Sequence, residues 1–63
     1  MENNDWYMVD LWLKENQRPI SWIASKLNVS RQIVYIWKEK QQIPEDKKLA
    51  ICYVTGQTYE QLF

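Results

Sequence analysis

The chain has 63 residues, of which 46% are hydrophobic and 14% aromatic, and its eight basic and eight acidic residues leave no net charge. A chain of this length forms one domain, residues 1–63, and buries only about 60% of its unfolded surface. Because it has no histidine, one cysteine and one glycine, it lacks the residues that build metal clusters, Ser/His or Cys/His pairs and glycine-rich phosphate loops. We therefore expect neither an enzyme nor a bound cofactor or metal.

Nothing in the sequence resembles a membrane or export segment. No run approaches the roughly 20 apolar residues of a transmembrane helix. The start, Met-Glu-Asn-Asn-Asp, has neither the basic nor the apolar part of a signal peptide. We therefore expect a cytoplasmic protein in which Cys52, set among apolar neighbours, is a reduced core residue.

A first helix is predicted near the start of the chain. The polar side chains of Asn3, Asn4 or Asp5 can cap its free amides, and it runs to about residue 15 or 16. Its buried face is formed by residues at helical spacing: Trp6, Val9, Trp12 and Leu13. Tyr7 and Leu11 lie off this stripe, either as scattered exposed residues or as part of a partner surface.

The central stretch predicts two short helices joined by a tight turn. Apolar residues recur at i, i+3, i+4 and i+7: Ile20, Ile23, Ala24 and Leu27. The pattern stops at Asn28 and restarts after Ser30, whose hydroxyl can cap a second helix. That helix has its own apolar stripe: Ile33, Val34 and Trp37. Two short helices with one buried face each and a short connection are typical of a helix-turn-helix.

The opposite side of the second helix carries side chains that can read DNA bases: Arg31, Gln32, Tyr35, Ile36 and Glu39. Arginine can bind a guanine edge, glutamine an adenine edge, and isoleucine can contact a thymine methyl group. For a single amphipathic helix, a solvated surface is the usual interpretation. The preceding helix at this spacing favours a base-reading surface instead.

The chain after Pro19 resembles the lambda-repressor-like, or XRE, helix-turn-helix family. The resemblance rests on these residues: Ala24, Asn28-Val29-Ser30-Arg31, Val34, Trp37, Ile43-Pro44, Leu49-Ala50-Ile51, Gly56 and Thr58-Tyr59-Glu60-Gln61-Leu62. It implies a compact all-α domain of five helices, with the motif in helices 2 and 3. Asn28 replaces the usual turn glycine and tolerates the left-handed backbone. Ile20 replaces a glutamine that buttresses a base-reading side chain in the family, so the family's base preference is not carried over.

The resemblance also implies which side chains meet double-stranded DNA. The base-contacting residues are Arg31, Gln32, Tyr35 and Ile36. The backbone-contacting residues lie at helix starts and around the end of the recognition helix: Ser21, Ser30, Lys38, Lys40 and Gln41. Glu39 would repel phosphate unless it pairs with a lysine or accepts a hydrogen bond from cytosine.

The zero net charge conceals an uneven distribution. Residues 1–15 contain four acidic residues and one basic residue, residues 16–40 contain five basic and one acidic, and residues 41–63 contain three acidic and two basic. The basic segment therefore coincides with the predicted motif. We expect a dipolar molecule with one basic face.

The last third of the chain predicts two further helices. Pro44 opens the fourth, and residues 49–54 are apolar on nearly all sides, which indicates a central helix or one shared with a second subunit. Gly56 ends this helix, and a capping box from Thr58 to Gln61 begins a last turn. Three apolar residues at the end either pack into the monomer or form a dimer interface: Tyr59, Leu62 and Phe63.

These patterns favour a sequence-specific transcriptional regulator, similar to Cro-type repressors of phages and mobile elements, that inserts the helix beginning at Arg31 into the major groove. One recognition helix makes few base contacts, so we expect a weak homodimer, formed in solution or only on DNA. No small-molecule effector is expected. The protein would act at the nucleoid, or in the host cytoplasm if it is viral.

The alternative is a protein-interaction module, antitoxin-like or antirepressor-like, that keeps the scaffold and binds a protein through an aromatic surface. That surface would consist of Tyr7, Leu11, Trp22 and Phe63. Neutral net charge and Ile20 favour this alternative, whereas the basic segment favours DNA. Trp22 lies almost opposite the apolar stripe of its helix, so it either packs against the first helix or the preceding loop, or forms a contact surface.

Overall fold

The computed structural model describes residues 4–63, which form five helices and no strand. The helices are α1 (Trp6–Glu15), α2 (Ile20–Leu27), α3 (Arg31–Lys40), α4 (Glu45–Thr55) and α5 (Tyr59–Leu62). α2 packs against α3 and α4, and α5 packs against α4 and α1. Among residues 4–63, no helix combines the length and the apolar composition that a bilayer crossing requires. The predicted all-α architecture of five helices is confirmed.

Four helix ends follow the predicted local chemistry. The Ser30 hydroxyl accepts a hydrogen bond from an amide in the first turn of α3 at 3.3 Å. Thr58 Oγ1 accepts from the Gln61 amide at 3.2 Å, and Gln61 Oε1 accepts from the Thr58 amide at 2.9 Å. α2 ends at Asn28 with φ 60°, and α4 ends at Gly56 with φ 74°. Asparagine and glycine tolerate this left-handed backbone better than other residues do, so these two ends were predictable.

The start of α1 is capped by the side chain of Asn4. Its Oδ1 accepts hydrogen bonds from the amides of Trp6 and Tyr7, both at 3.1 Å. The Asp5 carboxylate makes no cap and bonds to a distant part of the chain. The third predicted cap, Asn3, lies outside the described residues.

One hydrophobic core joins the five helices. Its buried side chains are Trp6, Val9, Leu13, Ile23, Ala24, Leu27, Val34, Trp37, Ile43, Ile51 and Leu62. The stripes predicted for α1 and α2 lie in or against this core, with Trp12 and Ile20 half-buried at its edge. Leu62 is only 3% exposed, so it packs into the monomer.

The predicted stripe of α3 is wrong at one position. Ile33 is 40% exposed, whereas Val34 and Trp37 are 0% and 6% exposed. At about 100° per residue, Ile33 lies at the edge of the side defined by the other two. The core contacts only the centre of that side, so the Ile33 side chain faces solvent.

α4 is also less buried than its sequence indicates. Ile51 is 0% exposed, but Leu49 and Tyr53, on the other side of the helix, are 59% and 88% exposed. The prediction of a central helix is therefore wrong for the monomer, because five short helices leave α4 with neighbours on one side only. α4 presents a leucine and a tyrosine, one turn apart, on its outer side.

Trp22 packs against α1. Its ring stacks on Trp12, with centroids 5.7 Å apart and an interplanar angle of 29°. The charged groups of Arg18 and Lys26 lie 5.1 and 5.8 Å from the Trp22 ring centroid. Of the two alternatives for Trp22, the structure shows the packed one.

We expect Ile51→Ala to lower the free energy of unfolding by about 2–5 kcal/mol, because it removes a fully buried side chain and leaves a cavity. Leu49→Ala is the matched control on the same helix. Leu49 is 59% exposed, so its loss should change the free energy by less than about 0.5 kcal/mol. Urea denaturation followed by circular dichroism measures both. Equal losses in the two variants would contradict the orientation of α4.

Candidate nucleic-acid interface

The connection between α2 and α3 is a three-residue turn, residues 28–30. Asn28 has a left-handed backbone with φ 60° and ψ 42°, and the Val29 amide donates to the Ala24 carbonyl at 3.0 Å. Ser30 is extended, with φ −75° and ψ 156°, and caps α3. Backbone hydrogen bonds and the cap therefore fix where α3 begins relative to α2.

Buried side chains fix the rotation of α3 about its axis. Val34 and Trp37 belong to the same core cluster as the buried residues of α2, which are Ile23, Ala24 and Leu27. Because two side chains three positions apart lie on one side of a helix, their burial determines which residues face outward. The other side chains of α3 are all exposed.

The four candidate base-contacting residues share this exposed side of α3. Arg31 and Gln32 are exposed, and Tyr35 and Ile36 are 51% and 46% exposed. Ile33, 40% exposed, joins them although its side chain was predicted to be buried. These five residues are called the outer face of α3 below. The outer face combines long polar side chains with aliphatic ones.

Three exposed cations lie on α3: Arg31, Lys38 and Lys40. Within residues 4–63, the recorded ion pairs involve Lys14 and Lys48, and none involves a cation of α3. Glu39, between the two lysines, is likewise exposed and outside these pairs. Within residues 4–63, the positive charge of α3 is therefore not neutralised by an ion pair, so it is available to a bound anion.

Two cations of the basic segment lie beside a tryptophan of α2. Arg18 and Lys26 lie over the Trp22 ring, on the side of α2 that meets α1. Trp22 points away from the α2 stripe that packs into the core, and it holds these two cations there. Arg31, Lys38 and Lys40 lie on α3 together with the candidate base-contacting residues.

The candidate phosphate-contacting serines lie near the starts of two helices. Ser21 is the second residue of α2 and is exposed, and Ser30 is the exposed cap of α3. Free amides at a helix start attract anions, so both hydroxyls lie where a phosphate is favoured. The other three candidates, Lys38, Lys40 and Gln41, are exposed at the far end of α3.

The loop after α3 is held by Asp5. The Asp5 amide donates to the Gln41 carbonyl at 3.0 Å, and Asp5 Oδ2 accepts from the Ile43 amide at 3.0 Å. Asp5 Oδ1 lies 3.3 Å from Lys48 Nζ. Gln41 itself has a left-handed backbone, with φ 59°. A residue before α1 thus positions the loop that carries a candidate phosphate contact, which the sequence did not indicate.

Lys48 connects this loop to the end of the chain. Burial lowers its pKa, but the hydrogen bond to Asp5 and the charges of Asp5 and Glu45 outweigh burial and raise the pKa above its ordinary value. Its ammonium lies 5.8 and 5.3 Å from the ring centroids of Tyr59 and Phe63. The Tyr59 hydroxyl donates to Glu45 Oε2 at 2.6 Å, and this hydrogen bond raises the pKa of Tyr59. Two of the three candidate dimer residues are thus held against α4.

An open cavity of about 330 Å³ adjoins the end of α3. It is lined by Ile36, Trp37, Lys40, Gln42, Ile43 and Pro44. Its walls are largely apolar, and Lys40 is the one charged residue among those that line it. Sequence patterns did not predict this cavity, because it forms between a helix and a loop held by a distant carboxylate.

Comparisons with protein-family models, with curated proteins and with solved structures found no match to the chain.

We expect Asp5→Ala to lower the free energy of unfolding by about 1–3 kcal/mol, because the Ile43 amide loses its acceptor and half-buried Lys48 loses a partner. Asp10→Ala is the control, since the Asp10 carboxylate forms a 3.0 Å pair with Lys14 on the surface of α1. Such exposed pairs contribute only about 0.3–0.5 kcal/mol. Urea denaturation measures both variants. If Asp5→Ala cost no more than Asp10→Ala, Asp5 would not be holding the loop.

Proposed function

We propose that the chain is a sequence-specific DNA-binding transcriptional regulator of the lambda-repressor-like kind, in which α2 and α3 act as a helix-turn-helix. The observation that carries the proposal is the outer face of α3. Arg31 and Gln32 are exposed there at the start of the helix, and no described carboxylate pairs with Arg31. Arginine and glutamine are the side chains that read guanine and adenine edges in the major groove.

The connection between the helices supports the same proposal. A recognition helix must be held by the helix before it, with its N-terminal residues directed at base edges. The turn at residues 28–30 and the Ser30 cap fix the start of α3, next to Arg31 and Gln32. In the proposed complex α2 crosses the sugar-phosphate backbone, with Ser21 at a phosphate.

Each residue then has a definite role in the proposed complex. Arg31 donates two hydrogen bonds to a guanine, and Gln32 pairs with an adenine. Tyr35 and Ile36 contact neighbouring base edges. The phosphate contacts come from both ends of α3: Ser30, Lys38, Lys40 and Gln41. Occupying an operator in this way excludes polymerase or a rival repressor, so the chain requires no catalytic group to act as a Cro-like repressor.

We further propose that two copies bind together as a weak homodimer, because a single module gives a small interface and two half-sites about 34 Å apart give useful specificity. Leu62 is 3% exposed and unsuited to an interface, whereas Tyr59 and Phe63 remain partly exposed beside α4. Leu49 and Tyr53 are exposed on the outer side of α4, and we assign them to the same interface. A two-fold axis would place this surface against the same surface of a second copy.

The second candidate function is a protein-interaction module. The aromatic surface predicted for it is largely covered, because Trp22 stacks on Trp12 and both Leu11 and Phe63 are half-buried. The observation that favours this function is the exposure of Leu49 and Tyr53 on α4, at 59% and 88%. A different protein could occupy the surface that we assign to a second copy.

We expect Arg31→Ala and Lys40→Ala to weaken DNA binding in different ways. Arg31→Ala should cost about 1–3 kcal/mol on an operator selected from a random duplex pool, and it should relax the preference at one base pair. Lys40→Ala should weaken binding to all sequences alike and reduce the salt dependence by about one unit of slope. Fluorescence anisotropy at several salt concentrations measures both.

Two controls accompany this experiment. Arg31→Lys keeps the charge but loses the paired donors that bind guanine, so it should relax the preference at the same base pair. Lys14→Ala removes a lysine whose side chain is 74% exposed on α1, and it should leave the slope unchanged. Unchanged operator affinity in both alanine variants, or binding of the wild type that does not fall with salt, would contradict the proposal.

We expect the wild type to bind an operator of two half-sites as two copies, and Tyr53→Glu to bind it as one, because the new charge would have to be buried in the proposed dimer interface. Light scattering of the free protein and of the complex measures the stoichiometry. Tyr7→Glu is the control, because Tyr7 is a 59% exposed tyrosine on α1. This variant should still bind the operator as two copies. A wild type that remained a monomer both free and on DNA would refute the dimer.

A further inference from the structure

Two isoleucines lie exposed next to each other on the outer face of α3. Ile33 is 40% exposed and Ile36 is 46% exposed. Three positions separate them, so they lie about 60° apart around the helix and about 4.5 Å apart along its axis. They form one aliphatic strip, called the isoleucine ridge below.

The ridge is accompanied by positive charge. Lys40 lies seven positions after Ile33 and four after Ile36, which places it on the same side of α3. Arg31 precedes the ridge, and no described carboxylate pairs with either cation. A partner for this surface must therefore combine negative charge with small apolar groups. Duplex DNA has this combination in the major groove, where the thymine C5 methyl is the apolar group at a base edge.

The cavity beside Ile36 indicates how one strand approaches. Ile36 and Lys40 line it together with Ile43 and Pro44, around an open volume of about 330 Å³. Its apolar walls suit a deoxyribose ring, and the Lys40 ammonium suits the adjoining phosphate. The hydrogen bond from the Ile43 amide to Asp5 holds the loop side of this cavity. The base that faces Ile36 would then belong to the strand whose backbone enters the cavity.

We propose, on the basis of the proposed DNA-binding function, that the isoleucine ridge recognises thymine methyl groups. Ile36 contacts the C5 methyl of one thymine, Ile33 contacts that of a neighbouring base pair, and Lys40 binds a phosphate of the first thymine's strand. This assignment makes Ile33 a specificity-determining residue. It also makes thymine, as distinct from uracil, part of the sequence that the protein prefers.

The test replaces each thymine of a selected operator, one at a time, by deoxyuridine. This substitution removes one methyl group and keeps every hydrogen-bonding group of the base. Wild-type affinity should fall about fourfold at the position that faces Ile36, since one buried methyl-sized group contributes about 0.8 kcal/mol and about 1.4 kcal/mol corresponds to tenfold. In Ile36→Ala the same substitution should have no effect, because the methyl group has lost its partner.

The controls separate methyl recognition from general damage. Met8→Ala removes an exposed apolar side chain on α1, away from the proposed DNA and dimer surfaces, and should keep the fourfold ratio between thymine and uracil. Ile36→Val removes only the terminal δ methyl of the side chain and should keep part of the ratio. Circular dichroism establishes that each variant retains its helices. Because the readout is a ratio measured within one variant, a moderate loss of stability does not change it.

The outcomes are distinguishable. If every deoxyuridine duplex bound the wild type as tightly as the operator, thymine recognition would be overturned while DNA binding stood. The same holds if the fourfold ratio persisted in both Ile36→Ala and Ile33→Ala, since the methyl contact would then lie elsewhere. If no duplex bound in a salt-dependent manner, the proposed function would fail as well.

Discussion

What α3 presents to a partner depends on the two side chains that it buries. Val34 and Trp37, 0% and 6% exposed, lie in one core cluster with the buried side chains of α2. Rotating α3 enough to bury the outer face would expose an indole ring and a valine, and each such side chain contributes about 1.5–3 kcal/mol when buried. The outer face is therefore held outward by the core, whatever it binds. The Ser30 cap adds a second constraint, because it fixes where along the chain this orientation begins.

The far end of α3 is constrained from another part of the chain. Asp5 bonds to both ends of the short segment between Gln41 and Ile43, and it pairs with Lys48 of α4. The start of α1, the loop and α4 therefore meet at one carboxylate. This arrangement explains how a small domain holds a loop with no secondary structure of its own. Lys40, the last residue of α3, is therefore positioned by that loop as well as by the helix.

The features that sequence reasoning predicted are local, and those it missed depend on distant contacts. The Ser30 cap and the left-handed Asn28 depend on chemistry within a few residues, so both were predictable. The left-handed Gln41 has no such signal, since glutamine rarely adopts this conformation, and the Asp5 contact spans 38 positions. The candidate base-contacting residues were predicted to be exposed because helical periodicity separates the two sides of α3. Periodicity does not show how wide a strip of α3 the core covers. Ile33 lies at the edge of that strip, so it was predicted to be buried although its side chain is exposed.

An exposed isoleucine ridge and a net charge of zero are related in the proposed complex. Phosphate contacts supply most of the affinity that is independent of sequence, and each one makes binding more sensitive to salt. With three cations on α3 and no net charge on the chain, the proposed complex neutralises few phosphates. Its attraction to random DNA is then weak, so discrimination must come from contacts to base edges. Aliphatic contacts to methyl groups meet that requirement, because they add affinity at particular bases without adding charge. In the proposed complex, the isoleucine ridge is therefore the means by which the protein distinguishes its operator from other DNA.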